Sequence, residues 1–149
     1  MDLDTSIGYA LKQAAAALRG AMDAALRPLE LTVPQYSCLE VLGQRPGLSN
    51  AELAKAVFVT RQSMNGVLRG LQERDLVTRP AAAEHGRALP AQLTDAGRAS
   101  LEAASAAVRA VERRMLSALT SSQEQRLVAD LTACVAALRP AGPDTGPPD

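Results

Sequence analysis

The sequence predicts a mostly α-helical protein with a small β-hairpin wing: a winged helix-turn-helix lobe flanked by longer helices at both ends. Three observations carry this. Apolar residues recur at spacings of three and four through most of the 149 residues, which is the period of a helix face. Ala and Leu dominate a 47% hydrophobic fraction that contains no Trp, and Ala heads the helix-propensity scale. Strand character is confined to the middle of the chain, around Leu76-Val77-Thr78 and Ala88 to Leu93.

The first helix is expected from Thr5 to Leu29, with Ile7, Leu11, Ala14, Leu18, Met22, Ala25 and Leu29 on one face. Pro28 and Pro34 punctuate the chain at its end, and Thr32 with Gln35 has capping-box spacing for a second helix that runs to Gly43. Arg45-Pro46-Gly47 makes a turn, after which Ser49 and Glu52 start a helix of about two turns. Thr60 caps the next helix, whose apolar positions Met64, Val67, Leu68 and Leu71 leave Arg61, Gln62, Ser63, Asn65 and Arg69 facing outward.

Beyond Asp75 an extended segment from Leu76 is expected to pair with Ala88 to Leu93 across a loop containing Glu84-His85-Gly86-Arg87. Pro90 has no N–H to give a ladder, so the second strand is an edge or is interrupted there. Thr94 caps a long helix that carries Leu101, Ala104, Val108, Val111, Met115 and Leu119 on one side. Thr120 with Gln123 restarts a last helix with the stripe Leu127, Leu131, Cys134 and Leu138, and the Pro/Gly-rich residues 139–149 read as a disordered tail.

Net charge is zero, which argues against a polybasic nucleic-acid coat, but the charge is uneven. Residues 55–98 hold seven basic against four acidic side chains, a local +3 balanced by −3 in the flanks. The acidic start Met1-Asp2-Leu3-Asp4 is unlike a secretory signal, and no apolar run approaches the roughly 18 residues of a membrane span. Two separated cysteines, Cys38 and Cys134, suit a reduced cytoplasmic setting, and both are expected in the core rather than as oxidant sensors. With one His and neither a carboxylate cluster nor a Gly-rich phosphate loop, no catalytic arrangement, metal site or cofactor is implied.

A short helix, a tight turn through Val57-Phe58-Val59 and a second helix with a polar N-terminal end form the order of a helix-turn-helix. Arg reads guanine edges, Asn and Gln read adenine, and Ser reaches phosphate or base, so Arg61, Gln62, Ser63, Asn65 and Arg69 are chemically suited to DNA. A solvated helix face carries the same residue types. Arg87 beside Gly86 at a loop tip suits a narrow minor groove, whereas His85 is either a phosphate contact or an exposed turn residue.

The strings Ser49-Asn50-Ala51-Glu52-Leu53-Ala54, Val59-Thr60-Arg61-Gln62-Ser63-Met64, Leu71 to Val77, Gly86-Arg87 and Leu93-Thr94-Asp95-Ala96-Gly97, in this order and spacing, resemble the MarR family of regulators over nearly the whole chain. The resemblance implies one unit over residues 1–138, with dimerisation helices at about 5–30 and 95–138 around a winged helix-turn-helix at about 33–94. It also implies a homodimeric repressor on a pseudo-palindromic double-stranded DNA operator, and a small aromatic or phenolic effector for which Tyr36 is the candidate pocket residue. His85 and Gly66 depart from the family's usual residues in the wing and recognition helix. The competing reading is a winged-helix module that binds protein.

Overall fold

The structure, a computed structural model, describes residues 2–79 and 90–140. Its principal elements are helices α1 (Ile7–Leu26), α2 (Val33–Gln44), α3 (Asn50–Val57) and α4 (Arg61–Glu73), strands β1 (Val77–Thr78) and β2 (Gln92–Leu93), and helices α5 (Asp95–Met115) and α6 (Ser121–Leu138). The chain divides into two compact units, residues 1–112 and 113–149. This is the helical architecture with a small antiparallel sheet that the periodicity predicts.

Helix starts coincide with the capping residues. All three expected capping boxes form: Thr32 with Gln35, Ser49 with Glu52, and Thr120 with Gln123 each exchange a side-chain and a backbone hydrogen bond. Each satisfies two donors that a helix N-terminus otherwise leaves unpaired. The Thr60 hydroxyl accepts from the Ser63 N–H at 3.0 Å, and that of Thr94 accepts from the Gly97 N–H at 2.9 Å, so both residues cap as expected.

Helix ends differ from the sequence reading at two places. The first helix stops at Leu26, and Arg27–Leu29 tightens into a 3-10 turn around Pro28, whose missing N–H cannot continue the α ladder. Glu30 then turns left-handed at φ 56°, and its carbonyl accepts from the Arg74 guanidinium. α5 ends at Met115 rather than Leu119, because the Ser117 hydroxyl and N–H both bond back to the Arg114 carbonyl and close a local turn instead.

The core of residues 1–112 is aliphatic. Leu26, Leu39, Leu53, Met64, Leu68 and Leu71 are fully buried side chains, with Leu42, Leu76 and Val77 packed into the same cluster. Leu and Met therefore supply the burial that a chain with 2% aromatic residues cannot draw from rings. Cys38 belongs to this core, and burial pushes its thiol pKa up to about 12, which leaves almost no reactive thiolate near neutrality. Cys134 does not: it is exposed on α6, where Leu127, Val128, Leu131, Val135 and Leu138 are exposed as well. The α6 stripe reads as a buried face in the sequence, but its side chains are exposed.

The sheet is antiparallel, with Val77 opposite Leu93 and Thr78 opposite Gln92. The second strand is thus shorter than the expected Ala88 to Leu93. Pro90 and Ala91 lie outside it, consistent with a proline that lacks a ladder donor, and residues 88–89 lie outside the described residues. A close backbone approach seats this sheet on α5. The Thr94 N–H donates to the Leu76 carbonyl at 3.1 Å, the Thr94 hydroxyl donates to the Asp75 carbonyl, and Gly97 packs flat against Leu76.

Candidate nucleic-acid interface

The turn between α3 and α4 fixes the presentation of α4. The Phe58 N–H bonds the Lys55 carbonyl and the Val59 N–H bonds the Ala54 carbonyl, the paired pattern that ends a helix through one left-handed residue. That residue is Phe58, at φ 62°. The chain then extends through Val59 to Thr60, whose cap restarts the helix. Helix-turn-helix geometry is thereby set by two end motifs and by the apolar face of α4, where Met64, Leu68 and Leu71 are buried.

On the opposite face Arg61, Gln62, Ser63, Asn65 and Arg69 are all exposed, as the helical spacing predicts. They differ in what they still offer. No hydrogen bond within the described residues engages the Arg61, Gln62 or Arg69 side chain. The Ser63 hydroxyl already accepts from the Thr60 hydroxyl at 2.9 Å, so it forms part of the cap. Asn65 accepts from the Asn50 amide at 3.0 Å. Its carbonyl keeps a second lone pair, and no hydrogen bond within the described residues engages its amide, so both groups remain available to an adenine edge.

Asn50 is a residue that sequence reasoning did not single out, although it stands inside the family-like string from Ser49 to Ala54. It joins Gly47, Ser49, Ala51, Glu52, Arg61, Asn65 and Pro90 around an open cleft of about 490 Å³ on this side of the lobe. The lining includes one cation, Arg61, and one anion, Glu52. Glu52 is committed to the α3 capping box, and the hydrogen bonds from Ser49 hold its carboxyl below the usual range, so it stays ionised. The cleft is therefore a recess of mixed polar and apolar lining next to the exposed face of α4.

Arg87 and His85, the expected wing residues, lie outside the described residues. Tyr36, the expected effector residue, is buried on α2. Burial raises its pKa, the neighbouring Ser105 hydroxyl and the Arg109 charge oppose that rise, and the Glu40 charge adds to it. Its hydroxyl remains protonated near neutrality. Beside it the Ser105 hydroxyl of α5 donates to Glu40 Oε2 at 3.0 Å, and the Gln44 amide donates to Oε1 at 2.6 Å. A tyrosine, a serine and a carboxylate thus form a polar seam between α2 and α5. No described helix is long and apolar enough to cross a membrane.

Comparison with known proteins agrees with this geometry. A profile described as MarR family matches residues 29–88. The HTH-type transcriptional repressor Rv2887 of Mycobacterium tuberculosis is 49% identical over 122 residues, which are 82% of this chain and 88% of the relative. The crystal structure of Rv2887 in complex with salicylic acid superposes with a TM-score of 0.73 at 46% identity, covering 87% of this chain and 96% of the other. The structure of Rv2887 in complex with DNA gives a TM-score of 0.74 at 44% identity, covering 87% and 98%. With an aliphatic lobe, a capped α4 and this degree of likeness along most of its length, the chain belongs to the MarR family of transcriptional regulators.

Proposed function

We propose that the chain is a homodimeric transcriptional repressor that binds a pseudo-palindromic double-stranded DNA operator through α4 and is released by a small aromatic or phenolic effector. The observation that carries this reading is the outer face of α4, where Arg61, Gln62 and Arg69 stand exposed beside a cap that fixes the helix start. That face suits groove dimensions and the bidentate chemistry of base edges. The relative Rv2887 has been crystallised with DNA and with salicylic acid, which supports both halves of the proposal.

Dimerisation draws support from surfaces that are costly to leave in water. α1 exposes Ile7 and Leu11, and α6 exposes Leu127, Leu131, Val135 and Leu138, a helical stripe. A two-fold dimer would set the two α4 helices about one helical turn of DNA apart, 34 to 36 Å. In the wing, Arg87 is the proposed minor-groove contact. For the effector, the protonated Tyr36 hydroxyl is the proposed hydrogen-bond donor to a phenolate or carboxylate oxygen.

The test is binding to duplexes selected from a random-core library. Affinity should fall linearly on a log–log plot against salt, because Arg and Lys release counterions from phosphates, with a slope that grows with the number of contacts. Binding that is absent at low salt would reject the regulatory reading in favour of a winged-helix module that binds protein.

A further inference from the structure

We infer that Phe58 is a DNA-contacting residue, an apolar finger at the leading edge of α4 that packs on operator thymine methyls or on deoxyribose. The inference rests on the DNA-binding reading above. Three non-glycine residues of the described chain have left-handed backbones: Glu30, Phe58 and Asp75. Asp adopts this region readily, and the Glu30 conformation is held by the Arg74 guanidinium on its carbonyl. Phe58 has neither support. Its aromatic ring gains nothing from the fold, because the residue is 94% exposed.

A glycine at this position would end α3 by the same two backbone hydrogen bonds without the crowding of a Cβ. A strained backbone and a large apolar side chain in water are thus both present at one position, and an unfavourable conformation of this kind points to a contact outside the chain. Location says which contact. Phe58 is two residues before Thr60, so its Cα lies within two steps of about 3.8 Å of the residue that caps α4. Thr60, Arg61, Gln62 and Ser63 come after it as exposed residues. If these residues meet a groove, the Phe58 ring meets its edge, where thymine methyls and sugar faces are the apolar surfaces on offer.

The experiment compares the full-length wild type with Phe58→Gly and Phe58→Leu on a duplex selected by the wild type, using fluorescence anisotropy together with thermal melting. Phe58→Gly should melt no lower than the wild type and bind about tenfold more weakly with an unchanged salt slope, since no charge is lost. Phe58→Leu should keep part of the affinity. Replacing operator thymines singly by deoxyuridine separates the two surfaces: a loss in the wild type that vanishes in Phe58→Gly identifies a methyl, and no loss at any position identifies deoxyribose. A Phe58→Gly protein that binds as tightly as the wild type overturns the contact while leaving the regulatory reading intact. A wild type that binds no duplex overturns both.

Discussion

Replacing Gly97 by Ala is expected to destabilise the protein by about 3 kcal/mol or more, a large effect for one methyl group. A Cβ at this position would stand 1.9 Å from the Leu76 carbonyl oxygen and 3.0 Å from its carbon, and these are backbone atoms that cannot rotate aside. α5 would have to retreat from the chain leading into β1. Retreat breaks the Thr94 bonds to Leu76 and Asp75, which are the bonds that seat the sheet on the helix start. Urea unfolding measures the loss. Gly66→Ala is the matched control: nothing lies within 4 Å of its Cβ position and its helix is continuous, so the same substitution should stabilise by about 1 kcal/mol. Equal midpoints for the two variants would contradict the close approach.

Leu68→Ala should cost roughly 2–5 kcal/mol, from lost burial and from the cavity left in a cluster that cannot collapse around it. Leu68 is 1% exposed and stands between Met64 and Leu71, both fully buried, on the inner face of α4. In a protein of this size that corresponds to a melting temperature lower by roughly 5–15 °C. The outer face bears none of this load, so exposed Gln62→Ala should melt within about 1–2 °C of the wild type. A Leu68→Ala protein that melts like the wild type would mean that α4 is not held by its apolar stripe.

Much of this structure was legible because its signals are local. Thr32, Ser49, Thr60, Thr94 and Thr120 are capping residues that act within three positions of themselves, and all five start helices as read. The two faces of α4 result from spacing alone, and so does the exposure of the five polar candidates. Pro90 lies outside β2, as expected of a residue without a ladder donor. The features that escaped depend on contacts far apart in sequence. Gly97 reads as an ordinary helix residue until Leu76 is seen against it, 21 positions away. Asn50 and Asn65 are 15 positions apart, and only the packing of α3 on α4 joins their amides. Phe58 stands where a glycine is the usual helix stop, so its left-handed backbone had no composition signal. Cys134 shows a different failure: an apolar stripe identifies a face that avoids water, and does not say whether the covering surface belongs to the same chain.

In the proposed mechanism α4 is a rigid reading head whose stability comes from one face and whose recognition comes from the other. These roles separate at Arg61, which is exposed and makes no described hydrogen bond, yet stands directly after the Thr60 cap. The most direct measurement is the affinity of Arg61→Ala for a wild-type-selected duplex, read beside its melting curve. The expected result is an unshifted melt with affinity lower by about tenfold or more and a shallower salt slope, the signature of a lost groove or phosphate contact. An Arg61→Ala protein that binds the duplex with wild-type affinity and salt dependence would contradict the claim that this end of α4 reads DNA.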